Sequence, residues 1–227
     1  MVTAGKVFKI REKTSIQSLV AKLKGLKREE VFKDGNHRFN LLTEVRDLSL
    51  KDNALRGTFS WDVVAYIFHR GERVPTPKTI EAPFSLAENK DRLLATIVQK
   101  KPLANNIANQ LSETLFITAG HIVEAKIPPE VLKSFHEQNP EDTKIIFFDE
   151  VDIPNINKLS LYGSVLMNTA LYNDYCDHGK IWYIVFTSKK YGNIVGLTRN
   201  AVVTIFNRIG DAEFLSYVTD EVFPLIE

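Results

Sequence analysis

The chain has 227 residues, 44% of them hydrophobic and 25% charged, with a net charge of +1. That profile belongs to a globular protein of one large or two small domains and excludes disordered and fibrous classes. A single cysteine, Cys176, excludes an internal disulfide, a C-x-x-C redox pair and a thiolate zinc site. With no leader pattern and no window approaching the roughly 18 apolar residues of a membrane span, the sequence predicts a soluble cytoplasmic protein.

The first predicted elements are a short strand over Val7–Ile10 and a helix capped by Thr14 or Ser15. Its apolar face carries Ile16, Leu19, Val20, Leu23 and Leu26, and Gly25 lies near its end. Four strand-like runs follow over Phe39–Val45, Thr58–Phe68, Thr79–Leu86 and Arg92–Gln99, with a long loop predicted over His69–Lys78. Within the third run Ile80, Ala82, Phe84 and Leu86 alternate to one side. Pro102 then suits the start of a helix whose stripe Leu103, Ile107, Leu111 and Leu115 is flanked by Ala104 and Ala108.

The remaining chain repeats this plan. A strand over Ile122–Ile127 precedes a helix starting near Pro128–Glu130, and strands are predicted over Lys144–Asp149, Ile181–Thr187, Ile194–Leu197 and Ala201–Phe206. Asp211 caps a last helix with Phe214, Val218 and Val222 on one face. Residues 164–179 are an insertion, predicted as an extra helix capped by Ser164 and stopped at Gly179. Thr96–Lys100 matches Thr204–Arg208, Leu41–Val45 matches Phe147–Val151, and Leu55–Thr58 matches Leu161–Ser164, all in one order and at nearly one offset.

These matches predict an α+β fold of two pseudo-repeated halves, residues 1–118 and 119–227, each with the order β-α-β-β-β-β-α and an antiparallel sheet packed by helices. At the level of topology alone that order is similar to the tandem units of the TATA-binding protein, and no functional residue is carried over from that similarity. Two runs speak against an open saddle. "IWYIVF" (Ile181–Phe186) and "LLATIV" (Leu93–Val98) are apolar on both faces, so both sides need a cover: the inserted helix, the other half's sheet or a second subunit.

The small net charge hides an asymmetry. Residues 1–101 hold 20 Lys and Arg against 12 Asp and Glu, a balance of +8, and the other 126 hold 9 against 16, a balance of −7. Lys22, Lys24, Lys27, Arg28, Lys33, His37 and Arg38, with Phe32 as a stacking ring, form a basic patch on the first helix and its exit. Lys100 and Lys101 add to it at the start of the Pro102 helix, beside Asn105, Asn106 and Asn109. Clustered cations with an aromatic ring suit phosphates and bases.

Motifs for catalysis are thinner. Glu124 and Lys126 have the E-x-K spacing of metal-dependent nucleases, which need a second carboxylate for Mg²⁺; between Asp91 and Glu124 the sequence offers only Glu113. Asp149, Glu150 and Asp152 lie at a strand end without any G-x-x-x-x-G-K-[ST] loop, and read as a solvated terminus. Cys176 and His178 are two apart on a helix and face away from one another. His37, His69, His121 and His136 show no metal-ligand spacing, and no cofactor or metal is predicted.

The function expected from sequence is a non-catalytic, nucleic-acid-associated regulatory or maintenance protein whose basic first half contacts phosphate. One alternative is an adaptor that self-associates through Met167, Leu171, Tyr172, Tyr175 and Trp182; another is a Mg²⁺-dependent nuclease using Glu124 and Lys126. Expected partners are therefore DNA or RNA, a second copy in a homodimer, or another protein, and no membrane.

Overall fold

Alternation along one strand, β1 (Thr3–Ile10), divides the molecule. Val7 and Phe8 are neighbours on an extended backbone and so point to opposite faces. Phe8 joins a core with Ile16, Leu19 and Leu23 of α1 (Ile16–Leu23) and Ile107, Leu111 and Leu115 of α2 (Lys101–Phe116). Val7 joins a separate core with Leu132 of α3 (Pro129–Glu137), Tyr172 of α4 (Ala170–His178) and Phe214 of α5 (Asp211–Tyr217). The helices of the two halves thus cover opposite faces of the sheet.

The structure, a computed structural model, describes residues 2–51 and 53–227. It is a mixed α+β fold built on one large antiparallel sheet. From one edge the order is β2 (Lys27–Asp34), β3 (His37–Lys51), β4 (Ala54–His69), β5 (Glu72–Asn89), β6 (Arg92–Ile97) and β1. It continues through β12 (Val202–Ile205), β11 (Ile194–Thr198), β10 (Lys180–Thr187), β8 (Thr143–Asp149) and β9 (Leu159–Tyr162). β1 is the seam: Lys6–Ile10 pair with β6 on one edge, while on the other Thr3–Lys6 pair with β12 and Phe8–Ile10 with the short β7 (Ile122–Glu124). Among the described residues no helix is long and apolar enough to cross a membrane.

Side-chain caps start α1 and α4, whereas the N-cap of α5 is Gly210 and the expected cap Asp211 is its first residue. Ser15 Oγ accepts the Ser18 N–H at 3.2 Å and starts α1. The inserted segment is helical later than the sequence predicts. It opens with a single turn at Leu166–Asn168, and Thr169 rather than Ser164 caps α4 by accepting the Tyr172 N–H.

One predicted loop is a strand, and so is the exit of the first helix, for which no element is predicted. The helix exit is β2, an edge strand, and the predicted His69–Lys78 loop is the turn Arg70–Gly71 with the first part of β5. Both turn residues have φ > 0, at 49° and 85°, as a two-residue hairpin requires. Pro75 and Pro77 make this stretch look like a loop, and Pro83 follows in the predicted strand Thr79–Leu86. All three share one parity, out of phase with the closing pair His69↔Glu72, so the N–H each lacks would point away from β4. On that edge β6 pairs only with Phe84–Asn89, and no shared ladder is broken before it.

The two doubly apolar runs have different covers. In β6, Leu93, Ala95 and Ile97 face the α1/α2 core while Leu94 faces the core of α5, so cover comes from both halves of one chain. In β10, Ile184 and Phe186 are buried under the second half's helices, and the opposite, more open face carries half-buried Trp182 and Tyr183 beside buried Val185.

Candidate functional site

A backbone irregularity builds the open face. Between Ile181↔Phe148 and Tyr183↔Phe147 the β10–β8 register slips by one residue, leaving Trp182 unpaired in a bulge. Strict alternation would send Trp182 and Tyr183 to opposite faces; the bulge gathers both around Phe147. Ring centroids are 5.8 Å from Phe147 to Trp182, 5.6 Å from Phe147 to Tyr183 and 5.7 Å between Trp182 and Tyr183. Tyr162 of β9 adds a fourth ring, 5.8 Å from Phe147 and 64% exposed.

Gly196 makes room for this cluster. A Cβ there would lie 3.0 Å from two carbons of the Tyr183 ring and closer still to its hydroxyl, so the ring rests on the backbone of β11 only because position 196 has no side chain. Burial raises the Tyr183 hydroxyl pKa, and the phenol is neutral at physiological pH.

Beside the rings, the start of α2 meets the open face in a cleft of about 240 Å³ lined by Lys101, Asp149, Trp182, Thr198, Arg199 and Asn200. Arg199 donates from Nη1 to Glu150 Oε1 at 2.9 Å and from Nη2 to Asp149 Oδ2 at 2.7 Å. Lys180 Nζ donates to the other Glu150 oxygen at 2.8 Å. Hydrogen bonds from Lys180 and then Arg199 hold the Glu150 carboxyl below its usual pKa. Lys158 Nζ sits 4.8 Å from the centre of the Trp182 ring.

Glu150 and Ala201 next to the cleft both have positive φ, 52° and 51°, a conformation that L-residues avoid unless their surroundings impose it. Ala201 is held by its neighbours: its carbonyl accepts the Val7 N–H at 3.0 Å. Trp182 Nε1 and Asp149 Oδ1, one donor and one acceptor, have no protein partner among the described residues. Both atoms are closed to solvent, so the cleft itself combines a ring surface with the Lys101 cation and the ion pairs of Arg199.

The basic patch predicted from sequence is dispersed. Lys22 Nζ donates to the Leu115 carbonyl and lies over the Phe116 ring, closing the end of α2. Lys24 is exposed at the end of α1, Lys27 pairs with Glu29, and Arg28 lines a groove against Gln110 and Glu113 of α2. Lys33, His37 and Arg38 stay together at the β2–β3 turn, where the Phe32 and His37 rings stack on Phe39. Lys100 and Lys101 are far from these, four strands further along the sheet, and Lys101 enters the cleft with Arg199 of the second half.

The interface set also divides. Tyr172, expected on a surface, is 2% exposed and packs against His136 and Phe148 within one chain. Met167 and Tyr175 are partly buried against the same core, Leu171 is 53% exposed, and Trp182 belongs to the open face on the other side of the sheet. The insertion covers its own half, which is why its apolar residues looked like an interface in sequence.

Glu124 forms an ion pair with Lys6, whose side chain is fully buried and also donates to Asn105 Oδ1 at 2.7 Å. Desolvation lowers the Lys6 pKa, opposed by Glu124. Lys126 lies beyond the end of β7 and is exposed. Among the described residues no three His, Cys, Asp or Glu side chains converge as a metal site requires. Cys176 is half-buried with its thiol pKa raised by burial, and His178 Nδ1 pairs with Asp152 at 2.8 Å, so these two do not form a nucleophile–base pair. No family model matches this chain, and no curated protein sequence matches it.

Proposed function

We propose that the protein binds single-stranded nucleic acid along the open face of its second half, in a non-catalytic regulatory or maintenance role. Bases stack on Tyr162, Phe147, Trp182 and Tyr183, and phosphates lie against Lys101 and Lys158, which unlike Arg199 are in no ion pair among the described residues. The bulge at Trp182 carries this reading. A bulge gives up ladder hydrogen bonds, and here it adds nothing to the second half's core, since it places a large indole on the face away from α3, α4 and α5. Sequence-tolerant stacking contributes about 1–3 kcal/mol per base, and flanking cations add a salt-dependent term.

The two-half organisation belongs to the same proposal. Its support is that β6 and β12 flank β1 and each leads into a helix, α2 and α5. The matched segment Leu41–Val45 lies in β3 and Phe147–Val151 begins in β8, each strand one step from the edge, whereas the match of Leu55–Thr58 with Leu161–Ser164 falls on β4 and the edge strand β9, which are not equivalent. The saddle analogy gives less guidance, because helices on opposite faces leave no uninterrupted face across both halves. Nucleic acid meets half a sheet.

Trp182 reports on the test directly. The chain has two tryptophans, and Trp61 is 6% exposed in the first half. Oligonucleotides of about 12 residues are expected to quench Trp182 fluorescence, with affinity falling as salt rises. Trp182→Ala, followed by anisotropy of a labelled oligonucleotide because it lacks the reporting indole, is expected to weaken binding by about 5- to 150-fold. Gly196→Ala, which displaces the Tyr183 ring, is expected to weaken it several-fold while the fold persists. Binding by Trp182→Ala equal to that of the wild type, with unchanged circular dichroism, would remove the reading. A second copy is the rival occupant, because Ile194 and Phe206 on this side are 42% and 43% exposed; light scattering showing a dimer that Trp182→Ala dissociates would favour it.

A further inference from the structure

The sheet splits into two ribbons at its first-half end. β3 and β4 are paired from Lys51↔Ala54 to Thr43↔Trp61 and no further. Beyond that pair, β2–β3 continues to Asp34↔His37 and β4–β5 continues to His69↔Glu72. A side chain marks the split: Asp62 accepts the Leu42 N–H at 2.9 Å through Oδ2 and the Thr79 hydroxyl at 2.6 Å through Oδ1. The carboxylate thus satisfies a strand donor that β4 would otherwise take, and the shared ladder ends there. Nearer the tips, Tyr66 donates its hydroxyl to Asp34 Oδ2 at 3.0 Å, so the ribbons run side by side without a shared ladder. From Trp61 to Arg70 the second ribbon projects about 30 Å at roughly 3.3 Å per residue.

Trp61 and Val63 at its base pack on the first core and Pro75 is buried, while residues 66–73 join neither core, and the composition of that tip is unusual. Tyr66, Ile67 and Phe68 are 37%, 51% and 80% exposed. Lys33, Arg38, Arg70, Arg73 and Lys78 all lie on the ribbons, and among the described residues none of them is in an ion pair. The ribbon carboxylates Asp62 and Asp34 are engaged internally, and Arg73 lies 3.6 Å over the Tyr66 ring. Glu72 stands exposed at the second tip, so Lys33, Arg38, Arg70 and Arg73 outweigh Asp34 and Glu72 there by two charges, beside a bare aromatic ring.

A polyanion fits that charge, and the apolar pattern selects which. Ile67 and Phe68 are adjacent on a strand and point to opposite faces. A membrane surface would bury one face only, whereas a groove contacts both. The major groove of B-form DNA, about 12 Å wide, admits a two-stranded ribbon, and the deep narrow groove of duplex RNA does not. We propose that the β4–β5 ribbon enters the major groove of a DNA duplex, with the cations of both ribbon tips on the flanking phosphates. The open face of the second half then takes the single strand that leaves this duplex, a clause that rests on the stacking reading above.

The test measures anisotropy for four labelled probes: a DNA duplex of about 20 base pairs, the same duplex with a single-stranded extension of about 12 nucleotides, the extension alone, and the matching RNA duplex. Phosphatidylserine vesicles serve as a fifth ligand. The variant Lys33→Ala/Arg38→Ala/Phe68→Ala/Arg70→Ala changes exposed tip residues only. The wild type is expected to bind the extended DNA duplex at least about tenfold more tightly than the extension alone. The variant should lose that advantage and lower the slope of log affinity against log salt by about 3, near 0.9 per lost phosphate contact. It should bind the isolated extension like the wild type, and Trp182→Ala should show the converse. Equal binding of the DNA duplex by variant and wild type would overturn the ribbon proposal, as would tip-dependent binding of vesicles or RNA duplex instead. Tip-dependent binding of the DNA duplex that Trp182→Ala leaves intact, with no binding of the extension, would sink the stacking reading alone.

Discussion

Replacing Phe214 with alanine is expected to destabilise the protein by about 3–5 kcal/mol, the range for a fully buried aromatic ring whose cavity cannot collapse. The site cannot collapse because the sheet is shaped around the ring. Gly5 of β1 lies directly beneath it, where a Cβ would come within 2.5 and 2.7 Å of ring carbons. Phe214 is 0% exposed, and the segment that carries it also ties the halves together. Arg56 of β4 donates to Ser216 Oγ at 3.2 Å, and Asn89 of β5 donates to the Phe223 carbonyl at 2.6 Å. Urea unfolding followed separately by Trp61 and Trp182, in backgrounds where the other tryptophan is phenylalanine, is the measurement. Both midpoints should fall together. A shift confined to Trp182 would show that residues 1–118 unfold as an independent unit.

Much of this scaffold was readable because it rests on short-range chemistry. The i, i+4 stripe of α2 and the alternation of Ile80, Ala82, Phe84 and Leu86 follow from helix and strand periods, and all but Leu103 and Ile80 are buried as the pattern requires. The candidate site was less legible because a single residue in a strand pairing created it. "IWYIVF" contains no signal that Trp182 is unpaired, and without the bulge either Trp182 or Tyr183 would join the core. Lys101 and Arg199 illustrate a second obstacle. They are 98 positions apart and meet only because β1 places β6 and β12 on its two edges. The ribbon cations Arg70 and Arg73 were hidden by prolines that normally mark loops, and only the parity of Pro75 and Pro77 against the β4 ladder permits a strand there.

Acid is expected to weaken the fold through one buried histidine. His136 of α3 is 0% exposed, lies 5.1 Å from the Tyr172 ring, and has no hydrogen-bond partner for either ring nitrogen among the described residues. Desolvation lowers its pKa from 6.5 to about 4, only partly opposed by the neighbouring Glu137 carboxylate. Above pH 6.5 the ring is neutral in both folded and unfolded chains and has no effect on the pH dependence. Between pH 6.5 and 4 the unfolded chain takes up a proton that the folded chain refuses, so stability declines by up to about 1.4 kcal/mol per pH unit, roughly 3 kcal/mol in all. Below pH 4 both states are protonated and the loss is complete. His136→Leu removes the titrating group along with two unpaired buried nitrogens, so it should match or exceed the wild type at pH 7. Chemical denaturation at half-unit intervals from pH 7.5 to 4 separates this from the carboxylates, which act mainly at the acid end of that range and remain in both proteins. The two stability curves should diverge steadily below pH 6.5, with the wild type falling faster; parallel curves would mean that His136 finds a proton or a partner in the folded state.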